Sequence, residues 1–300
     1  FVKALGEPLV VVQRSVLRDI LTAALTAETV EYGLTALGLI TDGNRVRLRL
    51  SDATVRMADA VIGADGTHSV VARHLNGPLT NRYAGYTAWR GITRYALDPM
   101  LAGETLGPGV EFGHVPVGPN STYWFSTQRA PEGHRSPQGE LHYLQAKFAG
   151  WAEPIPSILA ATPCTDVLRD DLYDRTPARH WARGPVVLVG DAAHPMRPHL
   201  GQGGCQGLED AAVLAAFIDE NSDSATAFAQ FAAFRRPRTK SLTRKSKWIG
   251  KVLNLRPAFL SAAASRATVL VPEALLTRHI ASVAARSAFV SPTGGATGQP

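Results

Sequence analysis

The spacing of hydrophobic and polar residues predicts mixed strands and helices in the first quarter of the chain. Residues 9–12 form a short apolar run. A helix is predicted after it, because apolar residues recur on one face: Val16, Leu17, Ile20, Leu21 and Ala24. Residues 46–50 alternate with arginines as a half-exposed strand does, and residues 42–44, Asp-Gly-Asn, are typical of a hairpin turn. Residues 60–62 then predict a short buried strand that leads into Gly-Ala-Asp-Gly.

The middle of the chain is typical of an antiparallel sheet followed by helices. Residues 83–93, 110–117 and 121–128 are aromatic-rich and β-prone, and loops rich in glycine and proline separate them. Two helices, at 141–151 and 154–161, and a strand at 167–173 are predicted next.

A buried strand and a helix return near residue 185. Residues 185–189 are strongly apolar, 207–218 predict a helix, and the chain up to about residue 288 is helical before a small, polar tail at 291–300. This order predicts an α/β fold in which a nucleotide-binding domain is interrupted by an antiparallel-sheet domain. We expect the nucleotide-binding parts at 1–76 and 181–240, the sheet domain at 77–180, and C-terminal helices and tail at 241–300.

Composition restricts the class of protein further. A hydrophobic content of 45% is typical of a globular protein with a sizeable core. No uncharged apolar run reaches about 18 residues, so no transmembrane helix is expected, and residues 1–7 lack the pattern of a signal peptide. Because Cys164 and Cys205 have neither disulfide-framework nor zinc spacing, we expect a cytoplasmic protein without a metal site.

The net charge of +6 comes from one stretch of the chain. Between Arg235 and Lys251 there are eight basic residues and no acidic ones. A solvated helix face is the favoured interpretation, because Trp248, Ile249 and Val252 offer an apolar side for packing. Interaction with a nucleic acid or a membrane surface is the less favoured alternative, and steering of an anionic ligand is a third. We therefore expect no nucleic-acid partner.

The strongest candidate site lies where the apolar strand at 185–189 ends. Gly190 and Asp191 follow the strand, and the next loop contains Pro198, Gly201, Gln202, Gly203 and Gly204. Ligands of open α/β sheets bind beyond the carboxyl ends of strands, where Asp191 could accept hydrogen bonds from sugar-like hydroxyls. Glycines let the backbone approach a flat or anionic ligand, and the N–H groups of the following helix attract negative charge. So many special residues in one short stretch make a purely steric turn the poorer explanation.

Two weaker candidates lie upstream. Asp65 and Gly66 form a tight turn between a strand and a helix, and Ser69 and Arg73 follow. Asp65 could orient the backbone near a pyrophosphate and Arg73 could supply positive charge, although Asp-Gly turns are common. Arg14, between the first apolar run and the first helix, could reach a phosphate or a ribityl group, but an ordinary surface arginine is the favoured explanation when it is taken alone.

Taken together and in this order, the three candidates resemble the motifs of the group A flavoprotein monooxygenases, the family of p-hydroxybenzoate hydroxylase. Arg14 with Leu17 matches the family's Arg-x-x-Leu helix start, Asp65 its Asp-Gly motif, and residues 190–204 its Gly-Asp motif. The sequence LGQGGCQ at 200–206 looks closest to the branch of urate hydroxylases, salicylate hydroxylases and zeaxanthin epoxidase. The resemblance covers about residues 8–240.

The sequence departs from the family pattern in two places. Ala72 stands where the family has an arginine after the Asp-Gly serine, and Arg73 follows it. No G-x-G-x-x-G occurs in the sequence. The nearest candidate, residues 201–206, has glutamine instead of glycine at its last position. The resemblance therefore implies an incomplete FAD-binding domain, Rossmann-like and three-layered, that lacks its N-terminal glycine-rich unit. A flavin reductase or halogenase relative, an inactive remnant without FAD, and a split flavoprotein completed by a missing N-terminal partner chain remain alternatives. The partner could also be a second copy in a homodimer.

The resemblance also implies a reaction and a set of site residues. FAD would be the cofactor and NADPH or NADH the co-substrate, and O2 would hydroxylate or epoxidise a small aromatic or alkene substrate through a flavin hydroperoxide. Pro198 would be the catalytic residue, lining the active site at the flavin ring. The residues expected to contact FAD are Arg14, Asp65, Gly66, Gly190, Asp191, Pro198, Gly201, Gln202, Gly203 and Gly204. Tyr86, Trp89 and Arg90 are the candidates for substrate contact, and plain sheet packing is the alternative for each.

Overall fold

The computed structural model describes residues 10–253 and divides them into two compact units. Residues 10–29, 83–173 and 251–253 belong to the first unit, and residues 30–82 and 174–250 to the second. Leu9, the helices expected beyond residue 253 and the tail at 291–300 lie outside the described residues. Within residues 10–253 no helix combines the length and the apolar character needed to cross a membrane.

Helices and strands follow one another largely as predicted. The first are α1 (Arg14–Ala23), β1 (Ala36–Asp42), β2 (Arg45–Leu50), β3 (Val55–Ala58), β4 (Val61–Gly63), α2 (Val70–Asn76), β5 (Asn81–Thr93), β6 (Gly103–Gly107), β7 (Val110–Pro116) and β8 (Thr122–Gln128). They are followed by α3 (Glu140–Phe148), α4 (Ile155–Ala160), β9 (Leu168–Arg175), β10 (Ala182–Arg183), β11 (Val186–Leu188), α5 (Gly203–Glu220) and α6 (Ser224–Leu253). Helix α5 begins at Gly203, four residues earlier than its apolar pattern predicts.

A five-stranded sheet in the order β6–β7–β8–β5–β9 is the centre of the first unit. Arg90 of β5 lies opposite Phe125 of β8, which lies opposite Gly113 of β7. One face of the sheet packs against α3 and α4 through a buried apolar core: Trp89, Phe112, Trp124, Leu144, Phe148, Ile155, Ile158 and Leu159. The antiparallel sheet predicted from the aromatic-rich runs is confirmed, because β5, β7 and β8 pair antiparallel.

Helix α1 forms as predicted but buries none of its residues. Its apolar face is open, since Val16, Ile20 and Leu21 are 45%, 59% and 50% exposed. Among the described residues, this is an apolar surface without a core to pack on.

The second unit contains two small sheets. Strands β1, β2 and β3 form an antiparallel meander whose first turn, at Gly43, has the positive φ of 58° that the predicted hairpin requires. Strand β4 runs parallel to β11, with Ile62 opposite Val187, and β10 completes the second sheet. Helices α2, α5 and α6 share with β11 a buried core that includes Val71, Leu75, Val186, Val187, Leu188, Val213, Leu214, Phe217, Phe228 and Phe231.

Gly63, the last residue of β4, determines how closely α2 packs on this sheet. A Cβ at Gly63 would lie 2.7 Å from Val71 Cβ and 3.0 Å from Leu188 Cδ2. Both neighbours are buried core side chains. The strand that leads into the Asp-Gly turn is therefore held against α2 by a contact that only glycine permits.

We predict that Gly63→Val lowers the free energy of unfolding by about 1–3 kcal/mol, because the added side chain overpacks this contact. The measurement is denaturant unfolding followed by circular dichroism. Gly38→Val in β1 is the matched control, since nothing lies within 4 Å of a Cβ built at Gly38. Equal stability of the two variants would contradict the packing argument.

Candidate cofactor site

The end of β11 brings a strand and a helix into close approach. Gly190 follows the strand with a φ of 56°, and a Cβ built on it would lie 3.9 Å from the Cα of Gly207 in α5. Asp191 comes next, in a short 3-10 turn (Gly190–Ala192), and its side chain is exposed. No other described residue donates a hydrogen bond to its carboxylate, so Asp191 can accept hydrogen bonds from a ligand.

Helix α5 begins with an open and uncapped N-terminus. The preceding turn, Pro198–Leu200, ends at Gly201 in the left-handed region with a φ of 60°. Gln202 then precedes the helix without a side-chain capping bond, so the first N–H groups have no cap. A Cβ at Gly204 would meet nothing within 4 Å, and the residue is exposed. Unpaired N–H groups, bare backbone and the nearby Asp191 fit a flat cofactor that carries hydroxyls and partial negative charge.

The Asp-Gly turn is organised by its own carboxylate. Asp65 accepts hydrogen bonds from Ser69 Oγ at 2.5 Å and from the backbone N–H of Val70 at 2.7 Å. Ser69 Oγ in turn accepts from the N–H of Ala72, so the two side chains cap helix α2. The following Gly66 has a φ of 73°. Arg73, whose Nη1 donates to the carbonyl of His68, stays beside this turn.

Arg175 joins the Asp-Gly turn to the Gly-Asp turn, a role that the sequence did not indicate. Its guanidinium donates to the carbonyl oxygens of Thr67 at 3.3 Å, Asp191 at 3.2 Å and Ala192 at 2.8 Å. Burial lowers the pKa of Arg175, and the carboxylates of Asp191 and Asp65 oppose this effect.

The loop before α5 is held from two sides. Asp174 receives two hydrogen bonds from the guanidinium of Arg197, at 2.9 and 2.8 Å, and an ion pair from Lys247 at 3.0 Å. Ser246 Oγ donates to the carbonyl oxygen of Arg197 at 2.6 Å. Burial raises the pKa of Asp174, but the bonds from Arg197 and Lys247 outweigh it and lower the pKa overall. Pro198, which follows Arg197, is exposed at the end of this anchored segment.

A buried charge network lies beneath the site. Asp210 of α5 is fully buried and accepts hydrogen bonds from the N–H of Gly190 at 2.7 Å and from His194 Nε2 at 2.6 Å. Arg235 of α6 is also fully buried and donates to Asp210 at 2.7 Å and to Glu209 at 2.7 Å. Arg238 adds two further hydrogen bonds to Glu209. The network ties the strand end at Gly190 to both long helices.

This network corrects the interpretation of the basic stretch at 235–251. A solvated helix face is right for Arg236, Lys240 and Arg244, which are exposed. It is wrong for Arg235, because two acidic residues of α5 stand opposite it in the fold. Nor does Trp248 pack as predicted, since it is 66% exposed.

The remaining predicted residues belong to the first unit. Arg14 is the first residue of α1 and is exposed. Tyr86 and Arg90 alternate with Trp89 along β5 and therefore share the sheet face opposite to it. Arg90 forms an ion pair with Asp170 at 2.7 Å, whereas Trp89 lies in the core with α3 and donates its indole N–H to Glu140. The structure thus brings Tyr86 and Arg90 to one face and Trp89 to the other.

Fold and site together define an α/β protein with a binding site for a nucleotide-type cofactor, and comparison with known proteins gives the family. The model of the FAD binding domain family matches residues 4–246. Aurachin C monooxygenase/isomerase of Stigmatella aurantiaca is 37% identical over 257 residues, which cover 85% of this chain and 67% of that protein. FAD-dependent urate hydroxylase of Mycolicibacterium vanbaalenii is 31% identical over 79% of this chain and 62% of its own length. Zeaxanthin epoxidase of Spinacia oleracea is 35% identical over 70% of this chain and 32% of its own length.

A solved structure agrees with these relatives. Klebsiella pneumoniae HpxO, complexed with FAD and uric acid, has a TM-score of 0.86 and 26% identity over 98% of this chain and 76% of that one. The chain belongs to the FAD binding domain family, and the resemblance found in the sequence is confirmed. It spans between about a third and two thirds of the length of the curated relatives named above.

We predict that Arg235→Met lowers the free energy of unfolding by about 3–5 kcal/mol, because it leaves the buried Asp210 and the partly buried Glu209 without the cation that they share. The measurement is urea unfolding at neutral pH. Arg236→Met, at the exposed neighbouring position, is the control and should change stability by no more than about 0.5 kcal/mol. If Arg235→Met lowers the free energy of unfolding no more than Arg236→Met does, the network does not stabilise the fold as proposed.

The same network predicts how stability depends on pH. Burial raises the pKa values of Asp210 and Glu209, but hydrogen bonds and charges from His194, Arg235 and Arg238 lower both overall. A carboxylate whose pKa is lower in the folded than in the unfolded state stabilises the folded protein at pH values above its unfolded-state pKa of about 4. This contribution disappears as the pH falls through the folded-state pKa. Unfolding free energies measured from pH 7 to pH 3 should therefore decline below about pH 4. The decline should be shallower in Arg235→Met, and an equally steep decline would count against the assignment.

Proposed function

We propose that this chain carries the FAD site and the substrate-binding sheet of an FAD-dependent monooxygenase. The reaction would use NADPH or NADH and O2 to hydroxylate or epoxidise a small aromatic or alkene substrate. The observation that carries the proposal is the uncapped N-terminus of α5 beside the exposed Asp191, in a chain of an FAD-binding family. The names of relatives, which include a hydroxylase and an epoxidase, support this class of reaction.

The residues of the second unit would hold the cofactor. Asp191 would accept hydrogen bonds from the ribityl hydroxyls, and the N–H groups at Gly203 and Gly204 would stabilise negative charge at the pyrimidine edge of the flavin. Asp65 would keep the turn at Gly66 in a shape that lets backbone approach the pyrophosphate. When bound, FAD would supply the chemistry that side chains lack, accepting electrons from NAD(P)H and activating O2.

The first unit would contribute the substrate contacts. Tyr86 and Arg90 lie on the sheet face away from α3 and α4, and Arg90 keeps 45% of its side chain exposed although it pairs with Asp170. Arg90 could therefore meet an acidic or phenolate group of the substrate. Trp89 would support the sheet from the opposite face. Two further roles concern the cofactor: Pro198, a residue of the second unit, would line the flavin ring, and Arg14 would neutralise phosphate charge.

A partner that completes the site is the second candidate, and the open apolar face of α1 favours it. Solvent exposure of Val16, Ile20 and Leu21 is unfavourable unless another surface covers them. The partner could be an N-terminal unit on a separate chain, as in a split flavoprotein, or a second copy in a homodimer.

Cys164 and Cys205, both free, support our proposal of a cytoplasmic location.

The proposal predicts that the purified chain of 300 residues retains FAD through desalting and shows flavin absorption bands. Asp191→Ala should weaken FAD binding by about tenfold or more, because it removes an acceptor of hydroxyl hydrogen bonds. Binding is measured by quenching of flavin fluorescence. Asp219→Ala, an exposed aspartate at the other end of α5, should leave the affinity unchanged.

Activity is tested next with the FAD-loaded protein. We expect small aromatic or alkene compounds to stimulate NAD(P)H oxidation together with oxygen uptake and to yield a product heavier by one oxygen atom. A colourless protein that ignores FAD would contradict the claim that this chain acts alone and would favour the split arrangement. FAD binding without stimulated oxidation by any compound of a broad panel would argue against the monooxygenase assignment.

A further inference from the structure

We propose that Asp174 and Arg175, the last two residues of β9, are positioning residues that set the two halves of the flavin site. The inference rests on the proposed function, because it assigns these residues to the site that would hold FAD. Arg175 is buried, the Asp174 side chain is 24% exposed, and both form hydrogen bonds within the protein. Each acts through backbone or a side chain that leads to a residue expected to contact the cofactor.

Arg175 fixes the distance between the two turns of the site. Its guanidinium donates to a carbonyl in the Asp-Gly turn, at Thr67, and to two carbonyls in the Gly-Asp turn, at Asp191 and Ala192. A planar fork with several donors can bond both turns at once, which the compact ammonium of a lysine cannot do. Because the partners are main-chain oxygens, the contact constrains the backbone of the turns directly.

Asp174 fixes the loop that ends at Pro198. Neighbouring residues of a strand project to opposite sides, so Asp174 reaches a different segment from the one Arg175 reaches. Its carboxylate accepts hydrogen bonds from Nε and Nη2 of Arg197, while Ser246 Oγ of α6 donates to the carbonyl oxygen of Arg197. Arg197, immediately before Pro198, is therefore held through both its side chain and its main chain.

Helix α6 packs against the same loop, residues 197–199, at Gly250. A Cβ at this glycine would clash with His199 Nε2 and lie 3.0 Å from Arg197 Nη1. The loop at 197–199 thus fills the space between the end of β9 and α6. A small displacement of Asp174 would be transmitted through Arg197 to Pro198, since the loop is closely packed against α6.

The two residues should affect different measurable properties. Arg175 sets the separation of turns that both meet FAD, so Arg175→Lys should weaken FAD binding by about tenfold or more. Asp174 sets the place of Pro198 at the flavin ring, so Asp174→Asn should leave FAD affinity within about threefold of the wild type. Instead, Asp174→Asn should raise the share of NAD(P)H oxidation that ends in hydrogen peroxide rather than in product, and Asp174→Glu should restore part of the coupling.

The same strand offers matched controls in the first unit. Arg169 and Asp171 form a buried ion pair at 2.7 Å, and neither contacts the two turns or the loop. Arg169→Lys and Asp171→Asn disturb β9 and a buried charge to a similar extent. They should lower thermal stability but leave FAD affinity and coupling unchanged. Equal effects of the control and test variants on affinity and coupling would overturn the positioning role and leave a structural one.

Hydrogen exchange separates this inference from the proposed function. In the FAD-free protein, Arg175→Lys should speed exchange in peptides that cover 64–68 and 190–194, and Asp174→Asn in those that cover 196–202, by about tenfold relative to the control variants. If the wild type binds no FAD, the proposed function fails, and this pattern alone decides the positioning claim. Unchanged exchange in these peptides would overturn the claim whether or not FAD binds. If Arg175→Lys does not fold, the Asp174 variants decide it.

Discussion

The carboxylate of Asp210 is buried completely, and the second unit depends on how its charge is compensated. A buried carboxylate loses its hydration, so it must receive hydrogen bonds and an opposite charge from the protein. Asp210 obtains them from the backbone of Gly190, the ring of His194 and the guanidinium of Arg235. These three partners lie at the end of β11, in the loop after it and in α6. One side chain thereby sets where the strand ends relative to the two helices, and the position of Asp191 follows from it.

Glycines in this chain serve two different purposes, and the structure separates them. Gly63 and Gly113 are places where a Cβ would clash with a neighbouring side chain, the buried Val71 in the first case and the partly buried Phe125 in the second. Gly201 and Gly204 have open space around them instead, and Gly201 adopts a left-handed backbone. The first kind permits close packing of the protein on itself. The second kind leaves the backbone bare at a helix N-terminus, as a bound cofactor requires.

Local patterns in the sequence were sufficient for most of the fold and for recognition of the family. Alternation within 46–50 and the aromatic-rich runs at 83–128 report on neighbours along the strand, so the strands could be predicted. The Gly-Asp segment could be recognised because its special residues all fall within one short stretch, 190–204. The roles of Arg175 and Arg235 could not be predicted, because their partners are 16 and 25 residues away or more in the chain. An arginine in a basic run carries no local sign that two carboxylates of another helix will surround it.

The burial of Arg235 against Asp210 and Glu209 has a consequence for how this sequence can change with time. Replacing one member alone leaves a charge enclosed without its opposite, which is the costly step. Replacing the cation and its acidic partners together by apolar residues of similar volume avoids that step. Substitutions at these positions should therefore be inherited jointly. Across homologues the three positions should vary as a correlated set, while exposed neighbours such as Arg236 vary independently.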